Sequence, residues 1–196
     1  FIMNNCWLIH PNFINNRAVR RTPEASLIEL KSLAKAINLK LIYSDIVRLS
    51  IIKSGTFFGK GKIENIKLKL TETDIEKCII IINTILTPIQ QRNLERSWDT
   101  KVLDRTALIL EIFGARAVTK EGSLQVELAH ISWQKTRLVR SWTHLERQRG
   151  GRGFLGGPGE LQIELDRRYI TSRIKKIKID LNKIKKTREL QRSKRQ

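Results

Sequence analysis

Cys78-Ile79-Ile80-Ile81-Ile82 is an unbroken apolar run, followed by the polar Asn83-Thr84 and then Thr87-Pro88-Ile89-Gln90-Gln91. Five apolar residues, four of them β-branched and bounded by turn formers, read as a strand buried on both faces of a parallel sheet. Thr87 suits a helix N-cap and Pro88 the first helical position, where its missing N–H costs nothing. The helix so opened carries Ile89, Leu94 and Trp98. Strand, turn and capped helix in that order make up most of a β-α-β unit.

The same rhythm runs outward in both directions. Upstream, Cys6 to Ile9 reads as a first strand and His10 to Thr22 as a polar loop. Thr22-Pro23 opens a helix with Leu27, Leu30, Leu33, Ala34 and Ile37 at helical spacing, closed by Asn38. Leu39 to Val47 resumes β character. Ser54 to Gly61 is a glycine-containing loop before Ile63, Ile66 and Leu70, which share one helical face. Downstream, Val102-Leu103 is a short fourth strand, and Asp104-Arg105-Thr106 a turn in which Asp104 caps the next helix or pairs with Arg105. The expectation is an α/β fold with a small parallel sheet flanked by helices over residues 1–105.

From Thr106 the pattern becomes nearly all helical. Leu124, Leu128, Ile131, Leu138, Trp142 and Leu145 alternate in steps of four and three, with Lys135 in the polar slot. Beyond a glycine cluster, Ile163, Ile170, Ile174, Ile177, Leu181 and Ile184 follow the same rhythm. Two heptad-patterned helices joined by a short linker form a long antiparallel hairpin with a coiled-coil-like seam, over 106–196. Those stripes are core; the tip and the outer faces are left for function.

The chain carries 38 Lys and Arg against 19 Asp and Glu, a net charge of +19. A surface this positive favours a polyanion, since each phosphate it neutralises releases a condensed counterion. From Ile170 to Gln196 there are eleven basic residues and two acidic ones, an excess of +9. Like charges at i,i+4 weaken a helix, so that density has a purpose beyond solvation. A membrane-surface helix fits less well, because the apolar stripe is narrow and already matched to a partner. No apolar run approaches the roughly 20 residues needed to span a bilayer, and no secretory leader is read. Cys6 and Cys78 sit in apolar runs, consistent with a reducing cytoplasm. The chain opens at Phe1, with Met3 its only methionine, and ends in the charged run Arg192 to Gln196. The start at Phe1 need not be the natural one, and the charged end reads as a cut through a longer protein.

The hairpin tip is the most distinctive segment. Six of the eleven glycines lie within residues 150–159: Gly150, Gly151, Gly153, Gly156, Gly157 and Gly159, with Arg147, Arg149, Arg152, Phe154 and Pro158 among or beside them. Glycine admits conformations closed to other residues and lets another backbone approach. Arginine pairs with phosphates or stacks on bases, and Phe154 can stack on an unpaired base. A reversal between helices needs only about 2–8 residues, so the tip reads as an RNA contact, with Arg167, Arg168, Lys175 and Lys176 on the second helix extending it. Gly59-Lys60-Gly61-Lys62 resembles part of a phosphate loop, without the Ser or Thr that would hold magnesium. It supports an alternative in which the Gly55–Lys62 loop binds or hydrolyses ATP. His10, His130 and His144 have no metal-ligand spacing, and no nucleophile–base pair suggests a catalytic centre.

Several of these segments together resemble the HflX-type ribosome-associated GTPases. The matching stretches are Gly59 to Glu64; Leu86-Thr87-Pro88-Ile89-Gln90-Gln91-Arg92-Asn93-Leu94-Glu95; Asp104-Arg105-Thr106 with Leu108-Ile109-Leu110; Ile112-Phe113; Glu121 to Ala129; and Gly156-Gly157-Pro158-Gly159-Glu160 with Gln162-Ile163-Glu164 and Asp166-Arg167-Arg168. They cover residues 54–168 in order. The resemblance implies an N-terminal HflX domain: a small parallel sheet, then a two-helix hairpin, with a G domain following. It implies binding to the large ribosomal subunit, with the tip reaching ribosomal RNA, and separation of stalled ribosomes; some members bind ATP through the N-terminal region. Where the family has Thr after Pro-Gly-Glu, this chain has Leu161. No phosphate-loop pattern occurs through Gln196, so GTP and magnesium are expected only in a G domain outside this chain. A cytoplasmic monomer without a cofactor of its own is expected.

Overall fold

The computed structural model describes residues 5–14, 21–73, 78–148 and 158–193; for 138–148 and 158–165 it describes the backbone alone. The elements run β1 (Asn5–Phe13), α1 (Pro23–Lys35), β2 (Lys40–Leu49), α2 (Lys60–Glu72), β3 (Cys78–Ile82), α3 (Pro88–Trp98), β4 (Lys101–Asp104), α4 (Arg105–Arg116), α5 (Lys120–Gln148) and α6 (Pro158–Ser193). Two compact units result, Phe1–Ala115 and Arg116–Gln196. The division falls at 115 rather than at the 105 read from the sequence. Helix α4 belongs with the sheet because Leu108 and Ile112 join a core cluster with strand residues Cys6, Leu8 and Ile81.

In the first unit the described strands form one parallel sheet in the order β2-β1-β3-β4. Alternation along β1 and β3 sends side chains to two separate cores. On one side Trp7, Ile9, Ile80 and Ile82 pack with Ile63 and Ile66 of α2 and Leu94 and Trp98 of α3. On the other, Cys6, Leu8 and Ile81 pack with Leu27, Leu30 and Ala34 of α1 and with α4. Strand β3 is therefore covered on both faces, the condition that an all-isoleucine run needs.

Strand β1 extends to Phe13, four residues past the end expected from the sequence. His10-Pro11-Asn12-Phe13 pairs with Ile46 to Leu49 of β2, so the ladder, rather than apolar content, sets its length. Both Thr-Pro helix starts form as expected. Thr22 Oγ1 accepts from Ala25 N at 3.2 Å. Thr87 and Gln90 make a reciprocal capping box, which fixes two of the N–H groups a helix start leaves unpaired. Asp104, fully buried, caps α4 by accepting from Ala107 N at 2.8 Å.

In the second unit α5 and α6 are antiparallel. Arg188 of α6 meets Glu121 near the start of α5 at 2.5 Å, and Arg173 meets Glu127 at 2.6 Å. The seam residues Ile170, Ile174, Leu181 and Ile184 are half-buried and Ile177 is fully buried, while Lys175 and Lys176 between them are exposed.

Candidate nucleic-acid interface and a polar cavity in the sheet unit

The residues expected to contact RNA divide by what the structure describes. Arg149 to Gly157, including Gly150, Gly151, Arg152, Gly153, Phe154 and Gly156, lie outside the described residues. Arg147 stands in the last turn of α5, which ends at Gln148, and Pro158 and Gly159 open α6. Arg167, Arg168, Lys175 and Lys176 are exposed on α6. The hairpin thus sets exposed cations along a rod whose apolar stripe is turned inward. Two acids of α5, Glu121 and Glu127, are bound to arginines of α6.

Gly59 is the N-cap residue of α2, with no side-chain cap; Lys60, Gly61 and Lys62 form its first turn. No acidic residue stands in that turn, so its unpaired N–H groups and two lysines make a positive helix start. The loop before it is fastened to the core. Phe58 is fully buried, Phe57 packs edge-on to it at 5.1 Å, Asn93 donates to Gly55 O at 2.8 Å and Gln90 donates to Lys53 O at 3.1 Å. Phe57 holds φ at 64°, a costly conformation for a bulky residue, kept there by its burial and by a two-way backbone pairing with Lys53.

A constellation the sequence reading missed lies at the carboxyl ends of β1 and β3. Here the connections leave the sheet in opposite directions, α1 to β2 and α3 to β4, which is where open α/β sheets hold ligands. A cavity of about 360 Å3 is lined there by His10, Asn12, Phe13, Arg21, Asn83 and Thr84, among others. Asn83 Oδ1 accepts from Arg105 at 2.8 Å, which turns the Asn83 amide nitrogen toward His10 Nδ1 at 3.1 Å and Ser26 O at 3.3 Å. Arg105 and Arg21 both pair with Glu29, at 2.8 and 3.0 Å. The hydrogen bond from Arg105 holds the Glu29 carboxyl below the usual carboxylate range. Burial, helped by Arg105 and opposed by Glu24, pushes His10 down. His10 is therefore neutral at pH 7, and with Nδ1 accepting it carries its proton on Nε2. A sequence signal existed: His10 and Asn83 each follow an apolar strand core.

Burial also raises the two thiols, Cys6 to about 11 with Cys78 adding to the effect. Among the described residues no group of three His, Cys, Asp or Glu could hold a metal ion, and no helix is long and apolar enough to cross a membrane.

A doubly wound sheet followed by a basic two-helix hairpin is the architecture of the front half of a GTP-binding protein. Residues 24–114 match the family model described as GTP-binding GTPase N-terminal, and residues 116–195 match the GTP-binding GTPase middle region. The chain belongs to the HflX family and corresponds to its N-terminal part. It is 49% identical over 180 residues to GTPase HflX of Magnetococcus marinus, covering 92% of this chain and 41% of that protein. To GTPase HflX of Escherichia coli it is 50% identical over 133 residues, covering 68% and 30%. It spans about two-fifths or less of the length of these relatives. The fold is also that of SsGBP, solved with GDP, at a TM-score of 0.66 and 22% identity, covering 95% of this chain and 46% of that one. The family boundary near residue 115 coincides with the division between the two units.

Proposed function

We propose that this chain binds the large ribosomal subunit through ribosomal RNA, as the N-terminal region of an HflX-type GTP-binding protein that splits or rescues ribosomes. The observation that carries the reading is the division of charge on the hairpin: an apolar seam closed by carboxylate–arginine pairs, and exposed cations outside it. The net charge of +19 steers the chain toward RNA, and the glycine-rich tip with Arg149, Arg152 and Phe154 enters a narrow cleft. GTP and magnesium belong to the G domain, and the location is cytoplasmic. Co-sedimentation with purified large subunits tests this. Binding should fall steeply with salt and drop clearly in the Arg149→Ala, Arg152→Ala double variant. Unchanged binding in that variant removes the tip from the mechanism.

A second reading is nucleotide binding by the sheet unit. What favours it is the cavity at the switch point, with His10, Arg21 and the start of α1 around it. The Gly59–Lys62 turn remains the rival location. Equilibrium dialysis with labelled ATP separates them: Lys60→Ala with Lys62→Ala abolishes binding at the turn, and Asn83→Ala abolishes binding at the cavity.

A further inference from the structure

The cavity at the carboxyl ends of β1 and β3 is lined by polar groups that the surrounding network leaves over. Asn83 is engaged at both ends of its amide: Oδ1 accepts from Arg105, and the nitrogen faces His10 Nδ1 and Ser26 O. Arg21 is held by Glu29 at 3.0 Å. Three lining side chains remain. With Nδ1 of His10 taken, Nε2–H is the ring's remaining donor. Among the described residues, nothing hydrogen-bonds the Asn12 side-chain amide or the Thr84 hydroxyl. A ring donor, an amide that donates and accepts, and a hydroxyl that does both thus border one space of about 360 Å3. Their backbones are fixed. Asn12 pairs with Arg48 in the ladder; Thr84 N donates to Ile82 O at 2.8 Å and Thr84 O accepts from Arg105 N at 3.1 Å. Phe13, set edge-on to Phe57 at 6.2 Å, adds an aromatic wall.

Charge around that space cancels. Arg21 and Arg105 share the carboxylate of Glu29, and Glu24 in the first turn of α1 brings a second acid whose field reaches His10. Two cations thus stand against two acids. The start of α1 is also poorly equipped for an anion. Pro23 has no N–H, Ala25 N donates to Thr22 Oγ1 at 3.2 Å and Ser26 N to Thr22 O at 3.1 Å. That leaves the N–H of Glu24, on a residue that is itself acidic. A phosphate chain needs donors and net positive charge together, and this space has a surplus of neither. Its volume is at the low end for a ligand pocket. It suits a compact, uncharged, planar ligand with donors and acceptors along one edge.

We infer that this cavity is a recognition site for a nucleobase, with Asn12 and Thr84 on its polar edge, His10 donating to it, Phe13 against its face and no subsite for phosphate. This rests on the nucleotide-binding reading above and narrows it: the base, rather than a phosphate chain, is what the sheet unit grips. An asparagine amide meets a base edge with one donor and one acceptor, and an aromatic ring stacks on its face. A free nucleoside and an unpaired position in RNA offer the same edge and the same face.

Ligand-observed NMR titrations of the whole chain with the four common ribonucleosides and their triphosphates test the inference. At least one nucleoside should bind, and Asn12→Leu and Thr84→Val should each weaken it about ten-fold. Its triphosphate should show the same losses and an affinity within about three-fold of the nucleoside, because no screened charge contributes. Thermal melts of the variants matching the parent exclude a folding defect. Equal nucleoside binding in the parent and both variants overturns the site. A triphosphate held about ten-fold more tightly than its nucleoside, with the excess lost in Asn83→Ala, also overturns it, and the nucleotide reading then stands with a phosphate subsite. If no nucleoside binds, the inference falls, and labelled ATP with Asn83→Ala decides the nucleotide reading by itself. A single-stranded oligonucleotide of the bound base identifies the source. A ten-fold loss on Asn12→Leu for the oligonucleotide as well assigns the base to RNA; a loss confined to the nucleoside assigns it to a free nucleoside.

Discussion

The amide nitrogen of Asn83 lies 3.1 Å from Nδ1 of His10, joining the ends of the two central strands β1 and β3. The bond requires His10 to accept, so it exists only while the ring is neutral. Burial already holds the ring's pKa below its ordinary value of 6.5. The folded chain thus binds a proton less readily than the unfolded one. At and above neutral pH both states have a neutral ring and the stabilisation is complete; it declines as pH falls below about 6.5 and is lost once pH passes the folded value. Urea denaturation at pH 7.5, 6.5 and 5.5 should show midpoints falling with pH, and His10→Gln should flatten that part of the slope. Parallel slopes in the two proteins would separate His10 from the acid sensitivity.

Asp104 ends β4 and starts α4 with one side chain. Its Oδ1 accepts from Ala107 N at 2.8 Å and its Oδ2 from Leu86 N at 3.4 Å, in a place without solvent access. Removing the carboxylate takes a buried acceptor away from the α4 start and from the Leu86 N–H. Asp104→Ala should therefore cost about 3 kcal/mol, above the usual range for a helix cap. The exposed cap at Thr22 should cost about 1 kcal/mol when changed to Ala. Chemical denaturation of the two variants checks the order, and an equal loss in both would mean that burial adds nothing.

Cys6 and Cys78 face one another's surroundings across the β1–β3 pair but serve opposite sides of the sheet, each in its own core cluster. Burial raises both thiols, Cys6 to about 11. The thiolate is the reactive form, so neither should react with iodoacetamide at pH 7.5 until the sheet opens. Mass spectrometry should show unlabelled protein in buffer and two labels in denaturant. Rapid labelling of the folded chain would contradict the burial described here.

Much of this was legible in the residues. Cys78 to Ile82 marked a strand covered on both faces, and Thr22-Pro23 and Thr87-Pro88 marked two helix starts, because each depends on local sterics and capping. Heptad spacing gave the hairpin. What the residues hid depended on pairing across distance. His10 to Phe13 looked like loop, because polar residues and a proline conceal a strand whose length is set by its neighbour β2. The same misreading hid the cavity, since Asn83 and Arg105 come beside His10 only once β1, β3 and β4 are ordered in the sheet. Helix α4 read as part of the hairpin because both are amphipathic; only its contacts place Leu108 and Ile112 with the sheet.

In the hairpin, apolar burial and ion pairing can be weighed against each other. Arg173 and Glu127 form a close pair across the two helices at 2.6 Å, but their side chains remain 37% and 35% exposed. At that exposure solvent and salt screen the charges, and a double-mutant cycle on Arg173→Ala and Glu127→Ala should give a coupling of about 0.5 kcal/mol. Ile177 is 1% exposed at the centre of the α6 stripe. Its truncation to Ala removes apolar contact and leaves a cavity, at a cost of about 3 kcal/mol. Urea denaturation followed by helical circular dichroism compares the two directly. A coupling larger than the Ile177→Ala loss would make the ion pairs, rather than the seam, the principal tie between α5 and α6.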